Sequence, residues 1–469
     1  MGGLFGVSGR KNCASDLFYG TDYHSHLGTK RGGLAICNEG IFKRYIHNIE
    51  NAQFRSKFEY DITKMSGSTG IGVISDFEDQ PVMMRSHLGQ YALATVGVIR
   101  NAEALARDAF THRKIHFSEM RGGDINATEL VGMLINQEDS FVEGILKAQE
   151  LIEGSCSLLI LTSEGIYAAR DRWGRTPLIL GRGHDQLAVT METCAFPNLD
   201  YKIEYMLGPG EIVYMSGDAY EQMAPPKDIL QICSFLWVYY GYPASEYEGI
   251  NVEAVRNRCG AKLAERDDFK VDAIAGIPDS GTGHGLGYAS RAGIPYTRPF
   301  VKYTPTWPRS FMPQNQAIRD LVAKMKLIPV DALIQGKRLL FCEDSIVRGT
   351  QLQDTISRLT SSGAKEIHMR PACPPLIYNC KFLNFSRSKS EFDYAARRAI
   401  REIEGDDFTD FSRYARAGSD EYEAMVESIR ARLQLTSLKY QRLEDLVEAI
   451  GLPKEKLCTY CWDGAGPDV

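Results

Sequence analysis

Along the first 225 residues the apolar positions come in short runs broken by turn residues. LLILTSEGIYAARD (158–171) and EIVYMSG (211–217) are apolar, β-branched stretches interrupted by Gly, a pattern that predicts strands, with a hairpin turn at SEG (163–165). A helix is predicted over NATELVGMLINQ (126–137), where Asn126 is placed to cap and Leu130, Met133 and Leu134 share one face. Strand-rich sequence with few helices predicts a layered α+β domain. The pattern changes near MAPPKD (223–228). Beyond residue 250, VDAIAGIP (271–278) leads into a helical stretch at 283–292 and then IPYTRPFV (294–301). RLLFCEDS (338–345) likewise leads into a helical stretch at 350–362 and then EIHMRPA (366–372). That alternation predicts a parallel sheet with crossover helices, an α/β domain after the α+β one. The expected division is 1–225 and 226–469, and the tail beyond 395 is mostly helical and charged.

Composition agrees with this division. A chain of 469 residues suits two domains, and 44% hydrophobic with 24% charged residues is ordinary for a soluble protein with a sizeable core. A net charge of −6 gives no general attraction for nucleic acid or anionic membrane, so phosphate must be held by a local site. The start MGGLFGVSGRKNC lacks a signal-peptide pattern, and Gly6 stands where a myristoylation start needs Ser or Thr. No apolar run reaches the roughly 18 residues of a spanning helix. A cytoplasmic location is expected, where the 11 cysteines stay as thiols.

The segment LLFCEDSIVRGTQL (339–352) carries the clearest chemistry. An apolar strand runs into Glu343-Asp344, followed by Ser345, Arg348, Gly349 and Thr350 and then a helix. Loop N–H groups and a helix N-terminus suit a phosphate; two acids at the strand's carboxyl end suit sugar hydroxyls and hydrated Mg²⁺. A second strand-to-helix loop supplies Asp279, Ser280 and Gly281. Between them lies VKYTPTWPRSFMPQ (301–314), with Lys302 and Arg309. Taken alone it is an exposed Pro-rich loop; its position between the two motifs favours a basic lid over a leaving group. Near the C-terminus, Cys458 and Cys461 form a CxxC that by itself fits zinc, redox chemistry or no function.

The 339–352 segment resembles the phosphoribosyl diphosphate signature of type I phosphoribosyltransferases, with Glu343 in place of the usual Asp. MGGLFGV, AARDRWGRTPLILG (168–181), METCAF (191–196) and LGPGEIVYM (207–215) resemble the glutaminase half of glutamine phosphoribosylpyrophosphate amidotransferases, so the resemblance runs from end to end. It implies an N-terminal-nucleophile hydrolase-like, class II glutamine amidotransferase domain followed by a type I phosphoribosyltransferase domain. It also implies a diphosphate loop at 279–281 with Ser280 near Mg²⁺, where the family often carries Arg or another polar residue near the position of Thr282, so the grip on the diphosphate is expected to differ. For the cysteines it implies a 4Fe–4S cluster on Cys233, Cys380, Cys458 and Cys461, with Cys373 a poorer match than Cys380 and zinc as the competing metal.

The same resemblance exposes losses. The family's nucleophilic cysteine falls at Gly2, its glutamine-carboxylate Arg at Ser75, its oxyanion Asn at Val96 and its amine-binding Asp at Ala127. Cys13 has no free amine and reads as a buried cysteine. Three functions follow. The first is an enzyme of purine biosynthesis that joins ammonia to 5-phosphoribosyl diphosphate. The second is a regulatory pseudoenzyme that binds nucleotide or that substrate together with an active paralogue. The third is a phosphoribosyltransferase with another acceptor. Purine nucleotide inhibition, a homo-oligomer and a separate glutaminase as ammonia source are further implications of the family.

Overall fold

A computed structural model describes residues 2–113, 117, 120–121, 124–303, 327–383 and 393–466. The first half supplies β1 (Gly3–Gly9), β2 (Arg31–Asn38), β3 (Ile41–Asn48), β4 (Thr69–Ser75), β5 (Val82–Ser86) and β6 (Gly89–Ile99). A two-residue pair, β7 (Met120–Arg121) and β8 (Asp124–Ile125), comes next. Then follow β9 (Gly154–Leu161), β10 (Ile166–Ala169), β11 (Ile179–Gly183), β12 (Gln186–Thr190), β13 (Lys202–Met206), β14 (Ile212–Ser216) and β15 (Ala219–Ala224). They form a seven-stranded sheet ordered β13-β11-β12-β1-β4-β2-β3 and a six-stranded sheet ordered β15-β14-β10-β9-β6-β5. The SEG turn joins the antiparallel pair β9 and β10 as expected.

Both faces of each sheet are covered, and side-chain alternation shows how. On β1, Leu4 joins the core shared with Leu159 and Leu161 of β9, while Phe5 and Val7 turn to the opposite face. There they meet Leu17 and Phe18 of α1 (Ala14–Asp22) and Phe54 and Phe58 of α2 (Phe54–Ile62). On β9, Leu158 and Ile160 turn away from the first sheet toward Val131 and Leu134 of α4 (Ala127–Ile135) and Ile145 of α5 (Phe141–Leu151). The first half also holds α3 (Ala102–Arg113), so among its described residues there are five α-helices where few were expected. The apolar stripes of α1 and α2 are too short to stand out against strand-like neighbours. In α4 the expected cap is present: Asn126 Oδ1 accepts from the N–H groups of Thr128 and Glu129 at 2.9 and 3.2 Å.

The second half begins with β16 (Ile232–Cys233), the pair β17 (Glu246–Tyr247) and β18 (Ile250–Asn251), and α6 (Val252–Glu265). Its parallel sheet is β19 (Ala273–Gly276), β22 (Arg338–Glu343), β23 (Glu366–Pro371) and β24 (Ser437–Leu438), in that order. Helix α7 (Gly281–Ala292) follows β19. The run 294–301 does not make one strand: Tyr296 bridges Ile274, and β20 (Phe300–Lys302) pairs antiparallel with β21 (Leu327–Pro329). Pro295 and Pro299 lack the N–H that a ladder needs. After α8 (Asp331–Ile334) and β22 comes α9 (Thr350–Ser361). The tail forms α10 (Ala395–Glu404), α11 (Asp420–Arg432), α12 (Leu443–Ile450), β25 (Leu457–Cys458) and α13 (Tyr460–Asp463). Strand β25 lies parallel to β16, with Cys458 opposite Cys233.

A buried carboxylate ties the two halves. Glu192 follows β12 and is 1% exposed. It accepts from the Ser245 hydroxyl, from Tyr247 OH at 2.7 Å and from the Tyr242 N–H at 3.3 Å. Burial alone would raise its pKa, but His26, Ser245 and Tyr247 outweigh that and hold it below the usual range. Among the described residues no helix is long and apolar enough to cross a membrane.

Candidate active site

The parallel sheet brings two of the sequence motifs to one edge. Strand β22 ends at Glu343, and Ile277 N–H donates to Cys342 O at 3.0 Å, which pins the 277–281 loop beside that end. The approach is close enough to require Gly281, since a Cβ there would stand 2.3 Å from Cys342 O. The Pro278–Asp279 peptide is cis. Ser280 Oγ donates to Glu343 Oε1 at 3.2 Å, and Asp344 N–H donates to the same oxygen at 3.0 Å. Ser345 Oγ donates to Asp344 Oδ2 at 2.5 Å. Burial first, then the neighbouring Asp344, pushes Glu343 well above the usual carboxylate range. Two adjacent carboxyls that resist shared ionisation are a setting a divalent cation relieves, so the donor set fits hydrated Mg²⁺.

Arg348 and Gly349 lead directly into α9 at Thr350, which aims the helix N-terminus along the loop. A cavity of about 80 Å³ beside it is lined by Arg348, Gly349, Thr350, Gln353, Arg398 and Arg432, among others. Lys302, at the end of β20, reaches the 277–281 loop and pairs with Asp279. Arg309 lies outside the described residues. Glu343, Asp344, Ser280, Gly281, Asp279 and Lys302 therefore share one edge, with Ser345, Arg348, Gly349 and Thr350 on the adjoining turn.

The four candidate cysteines also meet, at the junction of the halves. Cys233 and Cys458 are opposite each other in the β16–β25 ladder, and the thiols of Cys461 and Cys380 are hydrogen-bonded. Leu383 N–H donates to Cys380 Sγ at 3.4 Å. None of the four is in a disulfide, and Cys373 is fully buried. Burial, the largest influence, pushes Cys458 up to about 11 and Cys233 well above its ordinary value. Four soft thiols on neighbouring segments plus an N–H aimed at sulfur fit a metal cluster by donor chemistry. Among the described residues no three His, Cys, Asp or Glu side chains close around one point as on a single bound ion.

The positions of the expected first-half pocket come together as well. A Cβ on Gly2 would stand 2.3 Å from Ile74 O and 3.3 Å from Val96 Cγ2, so no side chain fits there without movement. Ser75 is buried, with Oγ accepting from Phe77 N–H at 3.1 Å, and it lies opposite Arg31 in the ladder. Ala127 opens α4, and the next residue, Thr128, shares a 2.7 Å hydroxyl contact with Thr95. Cys13 is 1% exposed, and burial, then Asp16, pushes its thiol up to about 12, which keeps it neutral. Sequence reasoning passed over the charged groups beside this pocket. Arg31 Nε pairs with Asp79 at 2.7 Å, and burial raises Glu78. Only the ladder register between β2 and β4 brings Arg31 here; no local motif marks it.

Comparison with known proteins accords with this geometry. Residues 69–198 match a glutamine amidotransferase domain family. The amidophosphoribosyltransferase of Methanocaldococcus jannaschii is 30% identical over 493 residues, covering 100% of this chain and 98% of that protein. The Bacillus subtilis amidophosphoribosyltransferase is 28% identical over 415 residues, covering 86% and 85%. A solved structure of glutamine phosphoribosylpyrophosphate amidotransferase from B. subtilis, complexed with ADP and GMP, matches with a TM-score of 0.84 and 26% identity over 99% of this chain and 97% of that one. The fold is thus an N-terminal-nucleophile hydrolase-like glutaminase fold joined to a type I phosphoribosyltransferase fold.

Proposed function

Because the chain belongs to the amidophosphoribosyltransferase family, we propose that it makes phosphoribosylamine from 5-phosphoribosyl diphosphate with ammonia, and that it no longer hydrolyses glutamine. The observation that carries the second clause is the closed backbone at Gly2, where the family's nucleophile has neither a side chain nor space for one. Ser75, Val96 and Ala127 are the companion losses. Residues 1–225 are then a glutaminase-like part and 226–469 the synthetase part. Free ammonium or a separate glutaminase supplies the amine.

In this reading Glu343 and Asp344 face the ribose hydroxyls, the 345–350 turn holds the 5-phosphate, and Asp279, Ser280 and Gly281 hold the diphosphate. Ser280, Glu343 and Asp344 would hold Mg²⁺, which when bound neutralises the leaving diphosphate. A C–N bond forms at the anomeric carbon, the C–O bond to diphosphate breaks, and the ammonium so formed loses a proton to solvent. Lys302 and Arg309 place positive charge at the departing diphosphate. Cys233, Cys380, Cys458 and Cys461 would hold a 4Fe–4S cluster, which when bound supplies a four-point covalent staple. The B. subtilis neighbour's complex with ADP and GMP supports purine nucleotides as ligands here, and a homo-oligomer is part of the proposal.

The test is diphosphate release from 5-phosphoribosyl diphosphate with Mg²⁺, on anaerobically purified protein, with ammonium and with glutamine in separate runs. Turnover with ammonium alone is expected. Turnover with glutamine sinks the glutaminase-loss reading. Silence in both runs with tight substrate binding favours the regulatory pseudoenzyme.

A further inference from the structure

One residue of the first half reaches the segments that carry three of the four cysteines. Arg175 lies in the turn after β10 and is 1% exposed. Its carbonyl accepts from Cys233 N–H at 3.1 Å. Its guanidinium stacks 3.6 Å from the centre of the Phe382 ring, two residues past Cys380. The same guanidinium lies within electrostatic reach of Cys458. The turn that presents it is tightly built: Asp171 Oδ2 accepts from Arg175 N–H at 2.7 Å and from the Ser155 hydroxyl at 3.0 Å. Arg175 Nη1 also donates to Gly154 O at 3.0 Å. The side chain is therefore aimed by its surroundings.

We infer that Arg175 is a positioning residue for the cysteine site: it holds Cys458 and the Cys380 loop ready for a cluster and shifts that cluster's reduction potential upward. This rests on the 4Fe–4S reading given above. The physical reason is charge. Burying a guanidinium is costly unless an anion or a polar cage meets it. A cubane carried by four thiolates bears net negative charge, and one-electron reduction adds another. A fixed cation beside the ligand sulfurs favours the more negative form, which raises the potential. Stacking on Phe382 keeps the fork planar and in register, which an ammonium cannot reproduce.

The experiment compares anaerobic wild-type protein with Arg175→Met, Arg175→Lys and Phe382→Leu. Iron and acid-labile sulfide per chain, the midpoint potential by dithionite titration, and the rate of bleaching in air are measured, with circular dichroism to check folding. Arg175→Met is expected to keep its iron under anaerobic conditions, shift the midpoint negative and bleach faster. Arg175→Lys keeps the charge and should retain a midpoint near wild type while bleaching faster. Phe382→Leu leaves Arg175 present but loose and should show both changes to a smaller degree. Wild-type potential and bleaching in Arg175→Met overturn the inference. If that variant does not fold, wild-type values in both Arg175→Lys and Phe382→Leu overturn it instead. Wild-type protein that carries zinc or no metal refutes the cluster reading itself, and this inference with it, a result distinct from an unresponsive cluster.

Discussion

Placing the family's nucleophile back at position 2 should fail, and the structure gives the size of the obstacle. A Cβ at Gly2 would sit 2.3 Å from Ile74 O and 3.3 Å from Val96 Cγ2. Ordinary contact begins near 3.4 Å, so the strand end at Ile74 or the chain start must move by roughly 1 Å. Overpacking of that kind costs about 1–3 kcal/mol, which for a unit near 200 residues lowers the melting midpoint by roughly 2–10 °C. Even after that movement, Val96 offers no oxyanion donor, and losing one such donor costs about 10²–10³ in rate. Gly2→Cys is therefore expected to melt earlier and release no glutamate from glutamine above background, with removal of Met1 verified by mass spectrometry. Adding Val96→Asn, Ser75→Arg and Ala127→Asp together is the variant with a chance of activity. The reasoning is refuted if Gly2→Cys alone hydrolyses glutamine at a rate comparable to active relatives, or if its midpoint does not move.

The other expectations are simpler. His24 is fully buried, with Nδ1 2.8 Å from Gly20 O, and burial, the largest influence, lowers its pKa to about 4. The unfolded chain then binds a proton that the fold refuses, so stability is full above pH 6.5 and falls by about 3 kcal/mol as pH drops toward 4. His24→Gln should flatten the loss of melting midpoint across that window, and an unchanged slope counts against it. Glu343→Gln and Asp344→Asn should each lower ammonium-dependent diphosphate release by about 10²–10³ without loss of fold; wild-type turnover in either removes the acids from the site. Asp267 and Arg370 are each 1% exposed and form a close ion pair. Asp267→Ala strands the guanidinium and should cost about 3–5 kcal/mol by calorimetry, whereas a midpoint within 1 °C would show the pair to be dispensable.

What the sequence disclosed follows the range of the interactions involved. The acidic pair at the end of β22, the loop before α7 and the turn into α9 were legible because each is a contiguous strand–turn–helix segment with its own residue signature. The Asn126 cap was legible for the same reason. Helices α1 and α2 were missed because they are held by Phe5 and Val7 from a strand rather than by their own periodicity. The run 294–301 read as a strand by composition, yet its two prolines limit it to a bridge and an edge pair. Arg175 and Arg31 were invisible as site residues. Arg175 reaches Phe382, beside Cys380, across a sequence gap of more than 200 residues, and Arg31 meets Ser75 only through the register of two strands.

The pairing of β16 with β25 sets an order of events during synthesis. Its two strands are separated by almost the whole second half, so the ladder that places Cys233 against Cys458 cannot close until Cys458 has left the ribosome. The stacked sheets of the first half, complete by β15, are free to form long before then. A nascent chain stalled after the first half has emerged but before Trp462 therefore leaves the segment at Phe235 without the Trp462 ring that it stacks on in the completed protein. That segment is where a chaperone or a degradation signal reader would find the incomplete product.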